Sequence, residues 1–205
     1  MCTFVLISII HTLFLTLQCK DPSPIVRANV CHVLSQAVCT QTMLEICTDN
    51  GIVSTLSSIS GDSKTKSDEN VQRYVAMAVA NCCGPAEKRY AASSSPSPPS
   101  EAQRIRFVDN ARQFGRLGTV ANLIAYLSST DTDVLSQSAR ALANLTLVSD
   151  NCKQVTELDR HSHCILRLSM LVGDRNRELA EAAAETLENV VSSSRSSKHT
   201  TSKSS

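Results

Sequence analysis

Three asparagines and one glutamine recur at corresponding places in four similar segments, and their amide groups could bind a peptide backbone. They are Gln36, Asn81, Asn144 and Asn189. A side-chain amide offers both a hydrogen-bond donor and an acceptor, so it can hold the backbone of an extended peptide without requiring a particular side chain. We therefore predict that these four side chains line a protein-binding groove.

Side chains of three different kinds stand one helical turn before the asparagines. Met77, Arg140 and Glu185 each precede an asparagine by four positions, and residues four apart share one face of a helix. We predict that they belong to the same groove, together with His32, which precedes Gln36 by four positions in the first unit. The alternative is that each asparagine merely bonds neighbouring backbone near the end of its helix, and the sequence leaves both interpretations open.

Other reactive side chains form weaker patterns. His161, His163 and Cys164 could suggest a metal cluster, but structural zinc normally needs four ligands in paired spacings, and the sequence has no second pair at such spacing. Cys82 and Cys83 lack the two-residue spacing of a redox motif. A phosphate-binding Gly-rich loop and a serine nucleophile elbow are both missing from the sequence. We predict a protein without enzyme activity, metal or cofactor.

The four amides belong to a hydrophobic pattern that repeats in register. Its anchors are Val26, Val71, Val134 and Leu179, which lie 45, 63 and 45 residues apart. Each anchor is followed by small or branched residues four and five positions on, by a larger aliphatic at eight, and by the amide at ten. Self-similarity at this period is typical of an α-solenoid, in which each unit buries its apolar face only against its neighbours.

The pattern divides the chain into four helical units and two polar segments. We predict a repeat array over residues 1–191, with units at 1–41, 42–84, 104–148 and 149–191. A disordered Ser/Pro-rich insert at 85–103 explains the longer middle interval, and the Ser- and Lys-rich residues 192–205 are predicted to be a disordered tail.

Each unit is predicted to contain a short helix, a turn, a medium helix, an acidic turn and a long helix. Asp131 or Asp133 is placed to cap one of the long helices, and residues 61–68 are expected to form a polar loop. The predicted helices are 25–38, 43–47, 52–59, 69–82, 105–114, 120–127, 134–147, 151–158, 165–172 and 179–191.

Composition narrows the classes of function and the compartment. Hydrophobic residues make up 42% of the 205 residues, aromatic residues only 3%, and the chain has no Trp, so the core must be aliphatic. A formal net charge of +1 and few aromatic rings argue against nucleic acid as a partner. Nine cysteines, an odd number, are interpreted as buried free thiols of a reducing compartment, which predicts a cytoplasmic protein.

The first nineteen residues are apolar and have two interpretations. They lack the positively charged opening of a signal peptide and contain His11 near their centre. We expect them to form a buried helix below the first repeat of the pattern, and we expect no membrane partner. A signal peptide or membrane anchor remains the alternative.

The segment from Gly118 to Leu145 resembles an armadillo repeat. It reads GTVANLIAYLSSTDTDVLSQSARALANL. The resemblance implies a right-handed, all-α solenoid of about four armadillo repeats, each of three helices; the related HEAT repeats would lack the short first helix. Armadillo proteins that read basic nuclear-import signals are known for Trp beside the groove asparagines, and this chain has no Trp. An import receptor is therefore disfavoured.

A narrower resemblance concerns the armadillo proteins of the ciliary outer dynein arm docking complex. The sequence departs from that family in two places. Residues 85–109 interrupt a helix-to-helix junction, and Arg160-His161-Ser162 replace a glycine turn. The similar runs are NCC (Asn81 to Cys83), NARQFG (Asn110 to Gly115), AYLSSTDTDV (Ala125 to Val134), SDNC (Ser149 to Cys152) and MLVGDRNRELAEAAAETLENV (Met170 to Val190).

This resemblance implies a scaffold that helps to fix dynein motors to axonemal microtubules. Its partners would be docking-complex coiled coils or dynein arm subunits, bound through the groove, and its location would be the axoneme of a cilium or flagellum. The alternative function is an armadillo adaptor that binds extended peptides in nuclear transport or cytosolic signalling.

Overall fold

The structure is a computed structural model that describes residues 21–84 and 99–201, with side chains described to residue 196. All regular secondary structure in these ranges is helical. The helices are α1 (Pro24–Ala37), α2 (Gln41–Asp49), α3 (Ile52–Gly61), α4 (Ser63–Lys66), α5 (Glu69–Cys83), α6 (Glu101–Arg116), α7 (Thr119–Tyr126), α8 (Thr132–Leu145), α9 (Ser149–Ser162), α10 (Cys164–Leu171) and α11 (Arg177–Thr201).

The long helices α1, α5, α8 and α11 pack against one another in that order. Contacts at both ends of α5 and α8 show that these two helices run parallel. Near their starts, Arg73 of α5 bonds Asp133 of α8 at 3.0 Å, and near their ends Asn144 of α8 bonds the Ala80 carbonyl of α5 at 2.8 Å. The predicted all-α solenoid of stacked helices is confirmed.

The core follows the hydrophobic pattern. Leu34, Val79 and Leu142, which share the eighth place after the anchor, are all 0% exposed. The small residues Ala76 and Ala139, at the fifth place, are also 0% exposed, and their size lets neighbouring long helices approach closely. Each fully buried aliphatic side chain of this kind contributes about 1.5–3 kcal/mol by leaving water, so a solenoid can be stable with few aromatic residues.

Caps explain where several helices begin. Asp68 accepts a hydrogen bond from the Val71 amide at the start of α5, and Asp131 accepts from the amides of Asp133 and Val134 at the start of α8. Ser100 and Gln103 form a reciprocal capping box, which satisfies two otherwise unbonded amides. Helix α6 therefore begins at Glu101 and not at 105 as predicted.

Two segments predicted to be irregular are helical. Residues 61–68 were predicted to be a loop but contain α4, which Asp62 caps by accepting from the Lys64 amide. The disordered tail predicted from 192 onwards is corrected over 192–201, because α11 continues to Thr201. A helix already nucleated by its buried first turns extends at little cost, and the Ser194 hydroxyl bonds the Val190 carbonyl at 2.9 Å along the same helix.

The turns between the first and second helices of the units share one backbone conformation. Gly51 has φ 82° and Gly118 has φ 79°, and at the corresponding place His163 has φ 51°. This left-handed region suits glycine and is costly for most other residues. The turn without glycine, expected at 160–162, is thus made by His163 in the conformation that glycine adopts in the two preceding units.

Some predictions fall on residues that the structure does not describe. The N-terminal helix predicted within 1–19 lies outside the described residues, as do residues 85–98 of the predicted insert and 202–205 of the predicted tail. Across the two described ranges, every helix is too short or too polar to span a lipid bilayer.

Candidate functional site

The four long helices present a row of side chains that we call the long-helix surface. Because the helices are parallel and in register, equivalent positions of the repeat lie side by side. The surface comprises His32 and Gln36 of α1, Arg73, Tyr74, Met77 and Asn81 of α5, Asp133, Arg140 and Asn144 of α8, and Glu185 and Asn189 of α11.

The asparagines of this surface connect neighbouring helices by equivalent hydrogen bonds. The Nδ2 of Asn81 donates to the Ser35 carbonyl at 2.8 Å, that of Asn144 to the Ala80 carbonyl at 2.8 Å, and that of Asn189 to the Ala143 carbonyl at 3.2 Å. Each acceptor stands at the ninth place after the anchor of the preceding helix. The asparagines therefore fix the register between helices.

Asn81 differs from the other two in its burial and in its second bond. Asn81 is only 4% exposed, and its Oδ1 accepts a hydrogen bond from Nη2 of Arg140 at 2.8 Å. The same guanidinium nitrogen lies 3.4 Å from the Met77 carbonyl. Both ends of the Asn81 amide are thus bonded inside the protein, whereas Asn144 and Asn189 are only half-buried.

The remaining predicted groove residues are accessible. Gln36 and Glu185 are exposed, and Met77 and Arg140 are half-buried. The Met77 sulfur accepts from the Ser35 hydroxyl at 3.1 Å, which orients the side chain against α1. The structure thus aligns the predicted residues, buries Asn81 among them, and leaves a different chemical group accessible on each helix.

A group of stacked side chains on this surface was not predicted. The rings of His32 and Tyr74 stack with centroids 4.4 Å apart, and the Arg73 guanidinium carbon lies 4.7 Å from the centroid of the Tyr74 ring. Arg73 also pairs with Asp133 at 3.0 Å. The available signal was positional: Tyr74 stands one turn before Met77, on the face that the sequence assigned to the groove.

Electrostatics keep the Arg73 guanidinium of this group charged. Desolvation acts to lower the pKa of Arg73, but the hydrogen bond to Asp133 and the interaction with Tyr74 outweigh it, so the pKa is raised above its ordinary value. Cation–π contacts contribute about 0.5–1 kcal/mol where solvent reaches them. The result is a preformed platform of one imidazole and one phenol ring beside a fixed cation.

Charge is distributed unevenly along the surface. Arg73 and Arg140 lie on the two middle long helices, while the exposed glutamates of α11 form one stripe. Their spacing of three or four residues places them on a single helix face. The stripe consists of Glu178, Glu181, Glu185 and Glu188.

The weaker sequence patterns are structural in the described residues. Cys164 is fully buried and its thiol points to the Val155 carbonyl at 3.6 Å. Burial raises the pKa of the Cys82 and Cys83 thiols well above their ordinary value. Within the described parts of the chain, three or more His, Cys, Asp or Glu side chains nowhere converge in a group able to hold a metal ion.

Two further buried asparagines hold the units together, and sequence reasoning did not single them out. The Nδ2 of Asn110 donates to the Cys82 carbonyl at 2.8 Å, and that of Asn151 donates to the carbonyls of Ala111 at 2.9 Å and Leu145 at 2.8 Å. Both asparagines sit in the first helix of a unit; they bond the carbonyls of Cys82 and Leu145 at the ends of preceding helices and that of Ala111 within α6. The bonds to Cys82 and Leu145 satisfy buried carbonyls that helix termini leave unpaired.

Comparisons with known proteins agree with this architecture. The chain is 26% identical over 171 residues to the armadillo repeat-containing protein gudu of Drosophila melanogaster. The match covers 83% of this chain and 21% of that protein, so the chain spans about a fifth of its relative's length. No protein-family model matches the chain.

A solved structure gives the fold independently. A designed armadillo repeat protein, YIII(Dq.V1)4CPAF in complex with the peptide (KR)4, superposes with a TM-score of 0.60 at 16% sequence identity. The superposition covers 86% of this chain and 62% of the designed protein. Together with the parallel stack of long helices in three-helix units, this shows that the chain folds as an armadillo-repeat solenoid.

Proposed function

We propose that this protein is a non-catalytic scaffold that binds an extended segment of a partner protein along the long-helix surface. The observation that carries the proposal is the alignment of equivalent side chains on neighbouring long helices. Each long helix places one side chain beside the equivalent side chain of the next helix, at the spacing of the asparagine bridges. A partner segment lying across the helices would meet these side chains one after another.

The residues of the long-helix surface are proposed to have two roles: some bind the partner segment, and one positions another side chain. Asn144 and Asn189 each use Nδ2 to bridge two helices, so the oxygen of each amide is the group suited to accept a peptide N–H. We propose that Gln36, Met77, Arg140 and Glu185 make the side-chain contacts. Asn81, with both ends of its amide bonded inside the protein, is proposed to position Arg140.

The designed relative supports this use of the surface in one respect. That protein was solved with a bound peptide of alternating Lys and Arg, so a solenoid of this fold accommodates a short peptide. The present chain has Arg140 in the middle of the surface, beside Arg73 in its pair with Asp133, and glutamates at one end. The partner segment is therefore proposed to be mixed in charge, acidic toward α5 and α8 and basic toward α11.

A peptide array tests this proposal directly. Sequences of mixed charge that bind the full chain would be measured again with Arg140→Ala and Asn144→Ala. We expect at least a tenfold loss of affinity for Arg140→Ala, because hydrogen bonds to charged groups contribute about 1.5–3 kcal/mol, and about a fivefold loss for Asn144→Ala, because a neutral hydrogen bond contributes about 1 kcal/mol. Arg106→Ala is the matched control, because Arg106 pairs with Asp49 on α2 away from the surface. Binding unchanged in both test variants would refute the proposed site.

We further propose, from the sequence resemblance, that the partner is a coiled coil of the outer dynein arm docking complex or a dynein arm subunit, at the axoneme. The support is the series of sequence segments that resemble the docking-complex armadillo proteins, the last of which lies in the final repeat and includes part of α11. Affinity purification from ciliated cells with the wild type and Arg140→Ala would test it. Recovery of docking-complex coiled coils by the wild type alone is expected. Recovery of nuclear-transport cargo instead would favour the adaptor alternative.

A further inference from the structure

An apolar cavity lies where the long helices α5 and α8 end against α6. Its volume is about 180 Å³. Asn144 of the long-helix surface and the exposed Arg104 line it, so the cavity adjoins the asparagine whose oxygen is assigned to a partner N–H in the proposed function. The other side chains that line it are mainly apolar and include those of Cys83, Phe107, Val108, Ala111 and Leu147.

The next unit repeats this cavity with a different lining. The second cavity lies where α8 and α11 end against α9, has a volume of about 480 Å³, and is again lined by an asparagine of the long-helix surface, Asn189. Hydroxyl residues replace apolar ones, with Ser149 in the place of Val108 and Ser192 in the place of Leu147. The described chain is continuous from residue 99 to 201, so the packing of one unit on the next is sufficient to form such a cavity.

The two cavities share a wall and are one helix apart. Leu147 lines both of them, and packed helices lie about 8–10 Å apart. A polyproline II segment has three residues per turn and rises about 3.1 Å per residue, so side chains three positions apart lie on one face, about 9 Å from each other. A β-strand would place the same two side chains on opposite faces. The spacing of the cavities therefore matches a polyproline II segment.

We propose that the partner segment is a polyproline II segment that places a large apolar side chain in the cavity beside Asn144 and an uncharged polar side chain, three residues away, in the cavity beside Asn189. This inference rests on the proposed function, because it requires the segment to lie across the long-helix surface. Burial of the apolar side chain supplies affinity, and the hydroxyl-lined cavity rewards a group that can exchange hydrogen bonds. Arg104 favours an acidic residue next to the apolar one.

A set of synthetic peptides tests the spacing. The peptides share a proline-rich host sequence of mixed charge that carries one leucine and one serine, separated by two, three or four positions in either order. Fluorescence anisotropy measures their binding to the full chain. We expect peptides of separation three, in one of the two orders, to bind about tenfold more tightly than all others, because only they bury the leucine while the serine reaches the second cavity.

Val108→Asp tests the apolar cavity in the protein. Val108 lines the cavity and is 38% exposed, and the substitution is expected to weaken binding of the best peptide about tenfold. The same peptide with alanine in place of leucine should bind both proteins equally. Ile105→Asp is the matched control, because Ile105 is 55% exposed on the same helix and does not line the cavity. Circular dichroism checks folding, and Leu147→Asp replaces Val108→Asp where that variant does not fold.

The outcomes distinguish this inference from the proposed function. Peptide binding that Arg140→Ala weakens, but that depends neither on the separation nor on Val108→Asp, would overturn the inference and leave the proposed function standing. Failure of the whole set and of the mixed-charge array to bind would contradict both. A variant with residues 85–98 replaced by glycine and serine tests the other occupant. Binding that depends on Val108 in this variant alone would assign the cavity to the chain's own segment and overturn the proposal.

Discussion

The bridge through Asn81 gives the most informative single substitution, Asn81→Ala. This change removes the bond from Nδ2 to the Ser35 carbonyl at 2.8 Å and the bond from Arg140 to Oδ1 at 2.8 Å. The first is a neutral hydrogen bond and the second is charge-assisted. The substitution therefore tests the contact between α1 and α5 and the contact between α5 and α8 together.

The expected loss of stability can be worked from these two bonds. A neutral hydrogen bond contributes about 1 kcal/mol and one to a charged group about 1.5–3 kcal/mol. The Ser35 carbonyl keeps another partner, the Cys39 thiol at 3.2 Å, so it is not left without a bond. We expect Asn81→Ala to lower the free energy of unfolding by about 3 kcal/mol.

Urea denaturation followed by circular dichroism measures this loss. Asn70→Ala is the control, because Asn70 is exposed on the same helix and bonds only the Arg73 side chain, at 3.2 Å; a change within about 0.5 kcal/mol is expected. A double-mutant cycle with Arg140→Met should give a coupling free energy of about 1–2 kcal/mol. A loss below about 0.5 kcal/mol for Asn81→Ala, or zero coupling, would refute the reasoning.

Three further predictions concern packing, backbone strain and pH. Gly115→Ala should lower the free energy of unfolding by at least about 2 kcal/mol, because an added Cβ would lie 1.8 Å from Oδ1 of the buried Asn151; a urea midpoint equal to that of the wild type would contradict this. His163→Gly should raise the free energy of unfolding by about 0.5 kcal/mol, since relief of left-handed strain of about 1–2 kcal/mol exceeds the added entropy of the unfolded chain. His161→Gly, inside α9, should lower the free energy of unfolding. Equal effects of the two substitutions would contradict backbone strain at His163. Burial raises the pKa of Cys82 and Cys83 above the ordinary thiol value of 9.0, so above pH 9 the unfolded chain releases protons that the folded chain keeps, and stability should fall as pH rises. Urea midpoints that stay level from pH 8 to 10 would contradict the burial of these thiols.

Much of the stack follows from the positions of a few residue types. The anchors Val71, Val134 and Leu179 are all 0% exposed, and their spacing was sufficient to predict that the helices following them lie side by side. Hydrophobic periodicity reports burial directly, because each helix must turn one apolar face to the core. Helix type and order were therefore predictable except for α4, and most boundaries other than the end of α11 differ by a few residues.

The burial and hydrogen-bond partners of the polar side chains were harder to predict. Asn81 and Asn144 have the same place in the repeat, yet the structure buries the first and leaves the second half-buried. The difference arises from Arg140 on the next helix, a long-range contact that local spacing does not contain. The extension of α11 to Thr201 was not predicted for a related reason. The serine-rich composition of this segment indicates disorder, but the buried part of α11 that precedes it continues the helix.

Parallel stacking of the long helices is tested most directly by distances between spin labels. Unnatural amino acids at exposed positions would carry the labels and leave the native thiols untouched. Asn70 and Glu178 start α5 and α11, which lie two places apart in the stack, so labels there should be about 20 Å apart. Labels at Asn70 and Val191 should be about 8 Å farther apart, since 13 residues of helix extend about 20 Å along the axis. Equal distances, or the longer distance for Asn70 and Glu178, would contradict the parallel stack.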